Sequence, residues 1–183
     1  FVDRTFNCNP RRTVELLNWI QEHDNGVTNF HFEIAADITT EEELAIMEQM
    51  RPGLIQLEIG VQSTNPEKVE AIHRTMDLTK LAEVVSRVKG FGNIHQHLDL
   101  IAGLPYENLE SFQKSFDDVY GMQQDPLQLG CLKVLKGSGM KEDADGYEIR
   151  YHEHAPYEVL TTRWLNYGEV LTLKGVEEMV EVY

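Results

Sequence analysis

Stretches of β-branched and apolar residues return along this chain with a helical pattern between each pair, and that alternation restricts the fold more than any other feature. The strand-like stretches fall near residues 1–6, 29–36, 54–62, 97–103 and 127–135. Strands separated by helix-length segments pair in parallel, because a parallel connection needs a crossover of about a dozen residues or more. Each intervening segment has one apolar face. The helix expected from Pro10 carries Val14, Leu17 and Ile20 on one side. Thr40-Glu-Glu-Glu43 is a capping box opening a second helix, with Leu44, Ile46 and Met47 turned inward. Residues 78–89 place Leu81, Val84, Val85 and Val88 at i, i+3, i+4 and i+7, and Gly90 stops them. Residues 109–121, capped by Asn108, repeat the pattern with Phe112, Phe116, Val119 and Tyr120. The expected architecture is α/β: parallel strands with helices laid outside them.

One segment departs from the scheme. Asn65 can cap and Pro66 can open a helix, yet that helix lasts only to about His73. It is short enough to lie across the mouth of a barrel or crevice and hold Arg74 over the strand ends; a surface helical turn is the plainer alternative. Beyond residue 136 the alternation stops. Lys136–Gly146 reads as a polar loop, Tyr147–His152 with Tyr157–Leu160 as a hairpin, and Asn166–Tyr183 as a last helix.

With 183 residues, 42% of them hydrophobic, the chain can bury a sizeable core. It has no apolar run of about eighteen residues to span a bilayer and no signal segment, which points to the cytoplasm and away from a membrane partner. Its formal charge of −15 repels phosphate backbones, so nucleic acid is not the expected partner. Cys8 and Cys131 make neither a disulfide framework nor a metal cluster. The chain opens on Phe1-Val-Asp-Arg-Thr-Phe6, already strand-like and without a Met, as a piece of a longer protein would.

Parallel strands covered on both faces read as nearly continuous Val, Ile and Leu. Here they carry Asp3, Glu33, Glu58 with Gln62, and Asp99. A buried unpaired carboxylate costs several kcal/mol, so these groups are paired, hydrated at the strand ends, or in contact with a ligand. Asp3 can pair with Arg4 or cap the next turn, and Glu33 can pair with a lysine. Taken together, at similar depth in successive strands, they read as the floor of one pocket, and ligands of parallel α/β folds sit at the carboxyl ends of strands.

Gly60-Val-Gln-Ser63, Arg74 twelve positions after Gln62, and Asp99-Leu-Ile-Ala-Gly-Leu-Pro105 resemble the S-adenosylmethionine-binding elements of radical S-adenosylmethionine enzymes. The branch is the one shared by oxygen-independent coproporphyrinogen oxidases and cobalamin-binding enzymes similar to the anaerobic magnesium-protoporphyrin IX monomethyl ester cyclase. The resemblance covers residues 1–137 and extends more loosely over a carboxy-terminal extension, 138–183. It implies a partial TIM-type (β/α) barrel, with the first strand missing, and cofactor-binding roles for eight positions. Glu33 matches an acid at the methionine end or ribose, and Gln62, followed by Ser63, an amide on the ribose hydroxyls. Arg74 matches the guanidinium that holds the carboxylate, and Asp99 a ribose-binding carboxylate. Ile101 and Gly103 bracket backbone that passes the adenine, and Asp3 lies near the methionine amino group.

These enzymes hold a 4Fe-4S cluster through CxxxCxxC, and that motif is absent here. The resemblance therefore implies that S-adenosylmethionine is the cofactor these residues touch. The iron-sulfur cluster and cobalamin would belong to the full-length protein only, and the fragment alone would be inert toward its small-molecule substrate. The competing reading is a non-catalytic α/β domain that binds a ligand or partner. It has no glycine-rich phosphate loop to support it. His95-Gln-His97 and His152-Glu-His154 invite a zinc reading but bring no third ligand, so no metal is expected. If residues 1–6 are a strand with an exposed edge, self-association through it, or its pairing with the hairpin near Tyr147–His152, is expected.

Overall fold

The computed structural model describes residues 1–122 and 127–182. A 3-10 turn at Phe6–Cys8 precedes α1 (Pro10–Glu22), β1 (Phe30–Ile34), α2 (Glu41–Glu48), β2 (Ile55–Gln62), α3 (Pro66–Ala71) and α4 (Leu78–Phe91). Then come β3 (His95–Ala102), α5 (Leu109–Tyr120), β4 (Leu127–Cys131), α6 (Gly139–Glu142), β5 (Arg150–Tyr151), β6 (Val159–Thr161) and α7 (Tyr167–Val182). β1 to β4 form one parallel sheet in the order β1-β2-β3-β4, and β5 pairs antiparallel with β6. Strands in sequential order with helices between them are the arrangement of a partial TIM-type barrel; among the described residues the sheet does not close. No helix among them is long and apolar enough to cross a membrane.

The chain folds as two compact units. Among the described residues the first is built from Phe1–Gly60, Met76–Leu98 and Met122, the second from Val61–Thr75, Asp99–Gly121 and the chain from Leu127 onward.

In the first unit β1 and β2 pair with Phe30 opposite Ile55 and Ile34 opposite Ile59. Phe32 and Ile34 are buried while His31 and Glu33 are exposed, so each strand shows one covered and one open face. The helices follow their apolar spacing. α1 opens on an Asn9 cap and Pro10 and buries Thr13, Leu17 and Ile20; Val14 is half-buried. Thr13 is tolerated inside because its hydroxyl donates to the Phe6 and Asn9 carbonyls at 3.3 and 3.0 Å. α2 has the expected capping box, Glu43 N to Thr40 Oγ1 at 3.3 Å and Thr40 N to Glu43 Oε2 at 2.7 Å. Leu44 and Met47 are buried and Ile46 half-buried. α4 buries Leu81, Val84, Val85 and Val88 but runs past Gly90 and stops at Gly92, whose φ of 70° is the left-handed cap.

Residues 1–6, expected to be a strand, are not one. Their apolar groups find side-chain partners instead of a backbone ladder. The Phe6 ring stacks on Phe32 at 3.9 Å and Phe1 lies 4.9 Å from the same ring. Asp3, for which Arg4 or a cap on the next turn was an alternative to a ligand, accepts from Arg12 Nη1 at 3.3 Å. Among the described residues the edge strands of the sheet are therefore β1 and β4, and the strand edge on which the expected self-association rested is not formed by Phe1–Phe6.

In the second unit α5 buries Phe112, Ser115 and Val119; Phe116 is half-buried and Tyr120, expected on that face, is exposed. β4 ends at Cys131, short of the expected 135, and Lys133 bridges to Glu158 instead. The polar stretch after 136 contains the one-turn α6, capped by Ser138. The hairpin forms as β5 and β6, and α7 buries Val170 and Leu173.

Candidate functional site

Six of the eight expected ligand contacts, Gln62, Ser63, Arg74, Asp99, Ile101 and Gly103, belong to the second unit; Asp3 and Glu33 belong to the first.

The second unit's site begins where β2 ends. Ser63 N donates to the Val61 carbonyl at 2.8 Å, closing a three-residue turn around Gln62, whose φ is 67°. A non-glycine residue at the centre of such a turn is in the rarer, more strained γ form. Strain of this kind persists where the surrounding structure imposes it, and it clusters at ligand sites. The Gln62 Oε1 atom is also buried without a hydrogen-bond partner among the described residues. A buried acceptor left unsatisfied costs about 1–3 kcal/mol, so a donor at this point would be favoured. Ser63 behaves differently. It is fully buried, and its hydroxyl is engaged by Ser115 Oγ at 3.3 Å and Asn65 N at 3.2 Å. Thr64 adds a bond to Asp118 Oδ2 at 2.7 Å, so the turn is tied to α5.

α3 follows, capped by Asn65, and its inner face carries a residue that the sequence reading passed over. Lys68 is wholly buried, with Nζ 2.9 Å from Glu107 Oε1 and 2.9 Å from Ser111 Oγ. Glu107 is equally buried, and its Oε2 accepts from Gly103 N at 2.9 Å. Burial pushes the Glu107 carboxyl upward, and the Lys68 ammonium opposes it. The pair clamps α3 to the turn after β3. The available signal was positional: Lys68 adjoins Val69 on the buried side of a two-turn helix.

The clamp fixes what flanks it. Arg74, three residues past α3, donates its backbone N–H to Val69 O at 3.0 Å; its side chain is half-buried and, among the described residues, makes no ion pair. Asp99 and Ile101 share the less buried side of β3, opposite Leu100 and Ala102. Gly103 has φ 91°, and a Cβ there would meet Val159 Cγ1 at 2.7 Å, so only glycine fits. An amide acceptor, a guanidinium fork and a carboxylate on one scaffold can hold hydroxyl, carboxylate and ammonium groups of a ligand.

In the first unit the open face of the sheet is polar too. Glu33 stands opposite Glu58 in the register, and Glu58 pairs with His31 at 3.0 Å. Gln56 Nε2 lies 2.7 Å from His97 Nε2, and the His95 ring meets His97 edge-on at 4.6 Å. Among the described residues no group of three or more His, Cys, Asp or Glu side chains could hold a metal ion. Both cysteines are free, Cys8 exposed and Cys131 buried. Burial, reinforced by Glu177 nearby, pushes the Cys131 thiol up to about 12, which makes it a poor nucleophile.

Known proteins match this chain in three ways. The family described as "Protein of unknown function (DUF4080)" matches residues 145–183. In sequence, the oxygen-independent coproporphyrinogen-III oxidase-like protein HemZ of Bacillus subtilis is 29% identical over 119 residues, 64% of this chain and 23% of that protein. The oxygen-independent coproporphyrinogen III oxidase of Salmonella typhimurium is 30% identical over 107 residues, 55% of this chain and 23% of that protein. The chain thus spans under a quarter of the length of these relatives. In structure, the radical S-adenosylmethionine methyltransferase TsrM of Kitasatospora setae, solved with cobalamin and a 4Fe-4S cluster bound, superposes with a TM-score of 0.70 at 14% identity over 85% of this chain and 33% of that one. The coproporphyrinogen III oxidase HemN of Escherichia coli, a radical S-adenosylmethionine enzyme, gives 0.65 at 18% identity over 94% and 37%.

In fold and in sequence the chain resembles radical S-adenosylmethionine enzymes. The sequence likeness is to oxygen-independent coproporphyrinogen oxidases, and the structural likeness extends to a cobalamin-containing methyltransferase.

Proposed function

We propose that this chain is the S-adenosylmethionine-binding part of a radical enzyme of the cobalamin-dependent kind, with cyclisation or methyl transfer on a small molecule as its reaction class. The observation that carries the proposal is Gln62: a strained backbone turn at the end of β2 aims a buried, unsatisfied amide oxygen. In this reading Gln62 accepts from a ribose hydroxyl, Arg74 forks onto the methionine carboxylate, and Asp99 accepts from ribose. The backbone from Ile101 to Gly103 lies along the adenine. Ser63 holds the turn in place through Ser115. Residues 1–137 form the binding part, and 138–183 a carboxy-terminal extension. When bound, S-adenosylmethionine supplies a sulfonium carbon–sulfur bond that reductive cleavage can open.

The two thiols do not fit a 4Fe-4S cluster, which needs three cysteines of CxxxCxxC. The chain by itself therefore binds the cofactor weakly and does not cleave it. Calorimetry with S-adenosylhomocysteine tests this: binding should be micromolar or weaker, and Arg74→Ala should weaken it by the about 1.5–3 kcal/mol of a charge-assisted hydrogen bond. Submicromolar affinity, or equal affinity of the variant, would overturn the reading. In the whole enzyme Arg74→Ala and Asp99→Ala should slow S-adenosylmethionine cleavage with iron content unchanged.

A further inference from the structure

A recess lies in the second unit, and none of its lining residues is among the proposed S-adenosylmethionine contacts. It is a cavity of about 360 Å³ bounded by Glu67, Glu70 and Ala71 of α3 and by Tyr106 and Tyr147. Glu67 and Glu70 are three residues apart and share one exposed helix face. The two tyrosine rings meet edge to face at 5.9 Å, and Trp164 completes a three-ring cluster at 4.7 Å from Tyr106 and 6.0 Å from Tyr147.

The same cluster already receives a guanidinium from within the chain. Arg163 lies over the Trp164 ring at 5.7 Å and donates from Nε to Glu148 Oε1 at 3.1 Å. The recess offers the same combination, aromatic faces beside carboxylates. A ring quadrupole attracts a cation above its face, and two carboxylates suit the fork of a planar donor. A guanidinium fits better than an ammonium, because it is planar, weakly hydrated and stacks on rings. The formal charge of −15 raises the local concentration of any cation.

We propose that the recess between α3 and the Tyr106–Tyr147 pair binds a guanidinium group, stacked on the rings and paired with Glu67 and Glu70. The group comes from a small guanidinium compound or from an arginine side chain of a peptide. The probes are agmatine for the first and N-acetyl-arginine methylamide for the second, titrated into a Trp19→Phe background so that emission reports Trp164. Saturable quenching by either probe is expected, and the tighter of the two identifies the source. Glu67→Gln with Glu70→Gln should weaken binding at least about tenfold, and Tyr147→Leu should do the same should the first variant misfold. Glu110→Gln with Glu181→Gln, an equal change of charge on exposed positions elsewhere, should leave affinity unchanged. Quenching that does not saturate, retained affinity in a folded Glu67/Glu70 variant or in Tyr147→Leu, or equal loss in the Glu110/Glu181 control would overturn the proposal.

Discussion

Replacing Lys68 with Met removes one half of an ion pair whose two side chains have no solvent exposure. The side chain of Met approximates the length of the lysine stem, so the loss is chiefly electrostatic. Glu107 then has two courses. Left ionised and unpaired, it would cost about 3–5 kcal/mol. Alternatively it binds a proton on folding, and the work of doing so against solution at pH about 7, from the ordinary value of 4.5, is roughly 3.5 kcal/mol at about 1.4 kcal/mol per unit. The cheaper course sets the ceiling, so Lys68→Met should lose about 3–4 kcal/mol near neutrality, including its bond to Ser111.

The sign with pH follows. In the variant the folded carboxyl has a raised pKa, so the folded state holds a proton that the unfolded state has released. Stability is then fully present below about pH 4.5 and declines as pH rises, by about 1.4 kcal/mol per unit relative to wild type. Urea unfolding of both proteins at about pH 5 and pH 7 should give a difference larger at the higher pH by roughly 2–3 kcal/mol. Glu107→Gln in the Lys68→Met background should recover most of the loss, because the amide still accepts from Gly103 N. A loss below about 1 kcal/mol, or one independent of pH, would refute the reasoning.

Two further outcomes are expected. A maleimide or disulfide reagent should label exposed Cys8 rapidly and buried Cys131, its thiol held up to about 12, only on unfolding; equal rates for the two would contradict the packing of β4. Gly103→Ala places a Cβ 2.7 Å from Val159 Cγ1 at φ 91° and should lower urea stability by about 2–4 kcal/mol, with Val159→Ala relieving the contact but not the backbone strain. A substitution that costs nothing would mean the loop moves freely.

Helix faces were legible because burial follows period: Leu81, Val84, Val85 and Val88 had to share a side, and they do. Residues 1–6 were misread for a reason of the same kind. Phe1, Val2, Thr5 and Phe6 carry β propensity, but a strand needs a ladder, and Phe6 gains more by stacking on Phe32. At the site, the special character of the β2 end was visible in Gln62, an amide closing an apolar run. Its positive φ was not, since nothing in the side chain announces it. Lys68 and Glu107 were invisible as a pair, because charges are assigned to the surface until a partner at a distance of 39 residues is known. The bond between the hydroxyls of Ser63 and Ser115, 52 residues apart, was hidden for the same reason.

The fit of Val159 against Gly103 also sets a clock on synthesis. The turn after β3 reaches its packed form only when the hairpin ending at Thr161, 58 residues later (161 − 103), is available. At the elongation rates of about 5–20 residues per second, that is a wait of roughly 3–12 s. The pieces of the first unit up to Leu98 have been made before that wait begins and can fold during it. The nascent chain should therefore acquire a protease-resistant first unit well before Gly103 is packed against Val159, and stalled chains ending shortly after α5 should expose the Gly103–Glu107 turn to cleavage more than complete chains do.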